Sequence, residues 1–271
     1  LNFFRKYSYY LSSIFTLLKG VKNWKVLFQI FLGKPFDGVK WLELRRDNLR
    51  IGVGSKMEAW SVKETLLDCL YIKYGTPVQS DWIVVDIGAA IGEFTIDVAL
   101  ELEEGAVHAF EPNPGSINIL RQNVRVNKLP CVQTYNLGVW SRAGEIPLRF
   151  LNNEPLQAIS GNGNGTEPAV KETTIQVITL NELVEEKVGR QIDLLKLDCE
   201  GAEYEIFFCD DHEVFQHIDR IIMEYHDLDE FNHHTRLINL FQRNGYDVIK
   251  NENAVHPELG YLYARKKHLK A

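Results

Sequence analysis

The sequence predicts an α/β fold: a doubly wound, mostly parallel sheet that closes on a late antiparallel hairpin and carries an N-terminal helical arm. Three observations predict it. Residues 83–87 (Ile-Val-Val-Asp-Ile) form a short apolar run that meets two glycines, Gly88 and Gly92. The run then passes into an apolar-periodic segment at 95–100, the pattern of a buried parallel strand turning sharply into a helix. Further apolar runs at 106–112, 192–197 and 220–225 end on or beside ionisable side chains. Last, 246–249 and 260–265 read as two strands with no long helix between them, hence the hairpin.

Composition narrows the class. A chain of 271 residues, 45% hydrophobic and 25% charged, suffices for one large domain with an appendage. Its net charge of −7 argues against general nucleic-acid binding. Cys69, Cys131, Cys199 and Cys209 form no CxxC pair, which reads as a reduced, cytoplasmic set with no zinc site. The charge is uneven: residues 1–50 hold ten basic and three acidic side chains, so they carry +7 and the remainder −14. Within them, 7–32 is rich in aromatics and leucines but is interrupted by Lys19, Lys22 and Lys25. It lacks the run of about 18 apolar residues of a spanning helix and the cleavage site of a signal peptide. Residues 1–40 are therefore expected to be a basic, aromatic helical arm packed over its own domain, which spans 41–271. A dimer contact or a peripheral membrane contact through the arm are the alternatives.

The remaining elements follow in order. Residues 44–53 predict a short strand or hairpin. Trp60–Tyr74 predicts one helix, with Val62, Leu66, Leu67, Leu70 and Tyr71 on one face and Glu64 on the other, stopped at Gly75-Thr76-Pro77. Asn113 is placed to cap a helix through Ile117, Leu120 and Val124. Residues 132–140 read as one strand containing Asn136. Residues 141–190 read as a hairpin-like insertion whose Gly/Asn loop at 161–165 is expected to be mobile, either closing over a substrate or serving as a plain exposed turn. A helical stretch at 204–208 and a helix at 235–244 complete the order.

The glycine loop points to a ligand. A dinucleotide loop wants glycines at relative positions one, three and six; here the third is Ala90 and the sixth is Glu93, whose carboxylate would repel a pyrophosphate at the helix start. No Gly-Lys-Ser or Gly-Lys-Thr follows, so a triphosphate loop is absent as well. Glu111 lies 23 positions after Gly88, near the distance of about 20 at which an acid reaches a bound ribose in β-α-β sites. An adenosine ligand with an amino-acid end and no phosphates fits: S-adenosylmethionine, its ammonium on Asp86 and its ribose hydroxyls on Glu111. Gly88, Ala89, Gly92, Glu93, Phe94, Pro112, Asn136, Asp198 and Glu64 complete the candidate cofactor site.

Four ordered segments, Asp86-Ile-Gly-Ala-Ala-Ile-Gly-Glu-Phe-Thr, Phe110-Glu-Pro-Asn-Pro, Leu195-Lys-Leu-Asp-Cys-Glu-Gly-Ala-Glu and Met223-Glu-Tyr-His, give the chain a further identity. Over about 58–266 it resembles the FkbM family of S-adenosylmethionine-dependent methyltransferases. The resemblance implies a Rossmann-like, seven-stranded methyltransferase sheet and methylation of a hydroxyl on a sugar, glycolipid or natural-product acceptor. The family loop reads Gly-Ala-Asn-Ile-Gly, and Ala90 stands here in place of the asparagine.

Methyl transfer to an alkyl hydroxyl benefits from a base. His226 is the first candidate because an ordinary imidazole titrates near pH 6.5; Asp198 and Glu200 come second, as base or as orienter of the acceptor. Glu203 and Glu224 are placed to hold Lys196 or His226. A divalent metal on Asp198, Glu200, Glu224 and His226 is the weaker use of the same groups, and His233-His234 is expected to be a solvated helix start. An N-methyltransferase of a small amine or protein, or a non-catalytic cofactor-binding scaffold on a membrane arm, remain the competing functions.

Overall fold

The computed structural model describes residues 2–32, 38–151, 154–155, 171–209, 213–253 and 255–269. The predicted Gly/Asn loop at 161–165 lies outside them. Two helices, α1 (Asn2–Gly20) and α2 (Lys25–Phe31), form the arm, and none of the described helices is long and apolar enough to cross a membrane. A two-stranded antiparallel ribbon follows, β1 (Lys40–Glu43) on β2 (Arg50–Val53).

The predicted single helix over 60–74 is broken. Its first part, α3 (Lys56–Val62), is capped by Ser55, which accepts from the Glu58 N–H. A widened turn at Lys63–Leu67 follows, then Cys69 in a left-handed conformation (φ 54°), and only then α4 (Leu70–Tyr74). After the break, Tyr71 of α4 reaches Asp198 at the sheet edge.

The sheet begins with β3 (Ile83–Ile87), α5 (Glu93–Ala99), β4 (Ala106–Phe110), α6 (Pro114–Val126) and β5 (Val132–Tyr135). Asn113 caps α6 by accepting from the Gly115 N–H. The strand predicted over 132–140 is two: the chain leaves the main sheet after Tyr135, and β6 (Gly138–Val139) joins a second sheet with β7 (Gly144–Leu151), β8 (Glu154–Pro155) and β9 (Lys171–Ile178) in the order β6-β9-β7-β8. The chain returns through α7 (Leu180–Glu182), β10 (Leu194–Leu197), α8 (Glu203–Phe207), β11 (Arg220–His226), α9 (His234–Arg243), β12 (Tyr246–Glu252) and β13 (Leu259–Lys266).

The main sheet has seven strands in the order β12-β13-β11-β10-β3-β4-β5, and only β13 runs against its neighbours. Alternation along the strands gives each face a separate apolar core. Val84, Val107, Leu194 and Ile222 face the side that also buries Leu17, Val21, Leu27 and Ile30 of the arm. Val85, Phe110, Leu195 and Met223 face the side of α8 and α9. With β3, β4, β10 and β11 parallel, their carboxyl ends share one edge, and the four loops that leave it converge.

Candidate active site

The first of those loops is shaped by its neighbour. Gly88 has φ +72°, and a Cβ there would stand 1.9 Å from the Asp198 carbonyl oxygen. The glycine that the sequence reading assigned to ligand approach is thus required first by the packing of one strand end on the next. Gly92 (φ +93°) starts α5, and Ala90 between them is itself left-handed (φ 47°). Asparagine tolerates that region better than alanine does, which gives a backbone reason for the family residue at this place.

Asp86 does not reach the cleft. It is fully buried, with its Oδ1 2.9 Å from Lys196 Nζ and its Oδ2 accepting from the Thr95 hydroxyl at 2.6 Å. Lys196, directly across the strand pair, also donates to the Gly88 carbonyl at 2.9 Å. The assignment of Asp86 to a ligand's ammonium is therefore corrected: its charge is spent on a buried lysine that holds the glycine loop from beneath. Glu93 and Phe94 are buried too. Burial pushes the Glu93 carboxyl up to about 8, so at neutral pH it is mostly uncharged and the repulsion expected of it is largely absent.

Glu111 is held differently. One carboxylate oxygen accepts from the Ala90 N–H and the other from the Asn113 N–H, each at 2.8 Å. Burial outweighs these bonds and raises its pKa to about 7. Asn136 braces the same turn by donating to the carbonyls of Glu111 and Pro112, both at 2.9 Å. Glu64 accepts from the Tyr9 hydroxyl of the arm and from the Trp60 indole at 3.0 Å, and its charge reaches Glu224 and Tyr261.

An imidazole among carboxylates occupies the other half of the edge. His226, 4% exposed, has Nδ1 3.3 Å from Glu203 and Nε2 3.5 Å from Glu200. Burial lowers its pKa, but the hydrogen bond and charge of Glu203, then the charges of Asp198 and Glu200, outweigh it and carry the value up to about 10. His226 is consequently an imidazolium at neutral pH, and the argument from an ordinary imidazole value does not carry over to it. Asp198 accepts from the Tyr71 hydroxyl at 2.8 Å. Burial, with the charge of Asp198, raises Glu224 well above the usual carboxylate range. Glu200 is left-handed (φ 53°), and its side chain is half exposed. Asp198, Glu200 and His226 each place one ligand-type atom within 4.8 Å of the others.

Between these groups lies a cleft that opens to solvent. Gly88, Glu111, Pro112, Asp198 and Glu200 line it, with Leu137 and Trp140 from either side of β6.

A model of the methyltransferase FkbM domain matches residues 86–248, more than half of the chain. The chain belongs to the FkbM methyltransferase family. Among its relatives, methyltransferase sdnD of Sordaria araneosa is 28% identical over 67% of this chain and 80% of its own. The 31-O-demethyl-FK506 methyltransferase FkbM of Streptomyces tacrolimicus is 26% identical over 62% and 74%. Of solved structures, the FkbM methyltransferase of Methylobacillus flagellatus KT aligns with TM-score 0.48 and 14% identity, covering 77% of this chain and 54% of that one.

For this FkbM chain the structure gathers some predicted site residues at the cleft and leaves others behind it. Gly88, Glu111, Pro112, Asp198 and Glu200 line the cleft; Asp86, Ala89, Gly92, Glu93, Phe94 and Asn136 form its supports, His226 stands behind Glu200, and Glu64 belongs with the arm. Sequence reasoning missed Tyr71, counted only as an apolar face, and the wall of Ile146, Leu148, Ile175 and Val177 from the insertion. Their alternation along two strands was the available signal. The His233-His234 pair also differs from expectation. His233 is the extended N-cap of α9 (φ −131°), so the rings lie 4.2 Å apart, tilted by 32°, and both reach Asp227 Oδ2, at 3.4 and 2.7 Å.

Proposed function

We propose that this chain is an S-adenosylmethionine-dependent methyltransferase of a hydroxyl on a sugar, glycolipid or natural-product acceptor. The observation that carries the reading is the placement of Glu200, which lines the cleft with one face and meets the imidazolium of His226 with the other. The Streptomyces relative, named for a 31-O-demethyl substrate, supports oxygen as the methylated atom.

The residues present fit the cofactor. Glu111, its carboxylate already aimed by two backbone N–H groups, suits a pair of ribose hydroxyls. The apolar slot of Leu137, Val139 and Trp140 suits a base, and the narrow Gly88 turn leaves the backbone exposed beside it. The bound sulfonium supplies an activated methyl group. The chain's own part is to orient the acceptor and to take its proton. Glu200 is the proton acceptor in this account. His226, kept cationic by Glu203, Asp198 and Glu200, positions that carboxylate. Tyr71 fixes Asp198, which shares the cleft wall and orients the acceptor. Four free thiols suit a reducing, cytoplasmic setting for the reaction.

The test is transfer of labelled methyl from S-adenosylmethionine to panels of polyhydroxylated and amine acceptors, with wild type and Glu200→Gln compared. Methylation of hydroxyls that Glu200→Gln lowers by about 10²–10⁴-fold at unchanged cofactor affinity is the expected result. Methyl found only on amines, or full activity in the variant, would overturn it.

A further inference from the structure

The arm turns one face inward and leaves another uncovered. On α1, Ser13, Leu17 and the following Val21 are buried against the domain, while Leu11, Ile14, Phe15 and Leu18 are 39–70% exposed. Their spacing of i, i+3, i+4 and i+7 makes a single stripe along the helix. On and around α2, Leu27 and Ile30 point inward, while Trp24, Phe28 and Leu32, four residues apart, are 40–77% exposed. The two stripes border one apolar groove. Together they form a contiguous patch of the kind that marks an interaction surface.

Charge decides what covers it. Residues 1–40 contain seven basic side chains and one acid, in a chain with 37 acidic residues. Lys19, Lys22 and Lys25 are exposed at the turn between the two helices, beside the apolar stripes. A basic rim around an exposed aromatic and aliphatic face complements an anionic lipid surface, where apolar side chains enter the headgroup boundary and lysines meet phosphates. A second copy docking face to face would set two basic arms against each other, and like charges oppose that pairing.

We propose that the arm docks on an anionic bilayer surface, lying in its plane on the Leu11–Leu18 and Trp24–Leu32 stripes. The inner face fixes what docking does. Tyr9 donates to Glu64, and Lys63 Nζ donates to the Tyr9 hydroxyl at 3.1 Å, so α1 is tied to the segment that follows α3. Gly20 at the end of α1 is packed on Leu67, where a Cβ would stand 2.5 Å from its Cδ1. The domain is thereby held at a set orientation to the lipid. This inference is independent of the methyl-transfer reading.

The test is cosedimentation of the full chain with vesicles of phosphatidylcholine alone or with about 30 mol % phosphatidylglycerol. Two double variants, Phe15→Glu/Phe28→Glu and Lys19→Glu/Lys25→Glu, are run beside wild type, with melting temperature and sedimentation velocity as controls. Wild type should pellet with the anionic vesicles only, and about 0.5 M NaCl should weaken it. Each double variant should lose at least about tenfold in partitioning while melting as wild type does. Wild type left in the supernatant with both vesicles overturns the proposal, as does pelleting that neither variant changes. A wild-type dimer that Phe15→Glu/Phe28→Glu converts to monomer, without vesicle binding, assigns the face to a second copy instead.

Discussion

Replacing Glu200 with glycine should stabilise the protein and remove its activity together. Glu200 holds φ 53° next to Gly201 at φ +96°, and a left-handed backbone costs an L-residue about 1–2 kcal/mol. Glycine relieves that strain but adds about 0.5–1 kcal/mol of unfolded-state entropy. A net gain of about 0.5–1 kcal/mol remains, or about 1–4 °C in Tm for a chain of this size. Loss of one negative charge beside Asp198 and Glu203 adds to that gain, and loss of the ion pair with His226 subtracts from it. Activity should fall by about 10²–10⁴-fold because the proton acceptor is gone. Scanning fluorimetry and methyl-transfer kinetics on the same preparation read both effects. A variant that melts lower than wild type, or keeps kcat within about threefold of it, would refute the reasoning that strain is held here for function.

Other outcomes follow from the same geometry. With Glu200 as proton acceptor and His226 already charged, log kcat should be flat from about pH 6 to 9; a climb with unit slope towards about 10 would return the base role to His226. Asp86→Asn should leave Lys196 buried without its counter-charge and lower Tm by at least about 6 °C; a variant that melts normally and loses only ligand affinity would contradict this pairing. Burial raises Asp97 to about 6, Glu111 to about 7 and Glu93 to about 8, and His226, despite burial, is raised to about 10 by Glu203, Asp198 and Glu200. Each group binds more protons folded than unfolded, so its contribution is complete below its ordinary pKa and is lost as pH rises through the raised one. The Tm of the protein alone should therefore fall from pH 6 to 9, less so in Glu93→Gln, and a Tm that rises over this window would count against it.

What the residues disclose on their own divides by range. The strand-turn-helix at 83–99, the Asn113 cap and the closing hairpin were legible because their signals are local: an apolar period, a capping side chain, a short connection. Asp86 was misassigned because its partner, Lys196, is brought opposite it only by strand register 110 positions away. The charged state of His226 depends on Glu203, one α-helical start away, and on two further carboxylates whose distances no spacing gives. The helix over 60–74 kept an unbroken apolar period, so nothing local announced the left-handed Cys69 or the bond from Tyr71 to Asp198. The strand over 132–140 hid a change of sheet at Asn136, because both halves carry the same β-favouring residues.

The most direct measurement is calorimetric titration of the protein with S-adenosylmethionine, with NAD as control and Glu111→Gln as the comparison, since Glu111 lines the cleft and Asp86 does not. S-adenosylmethionine should bind and NAD should not; Glu111→Gln, whose amide leaves one of the Ala90 and Asn113 N–H groups without an acceptor, should stay folded with a lowered Tm and bind at least about tenfold more weakly. Absence of binding, equal binding of NAD, or an unchanged affinity in the variant would contradict the account.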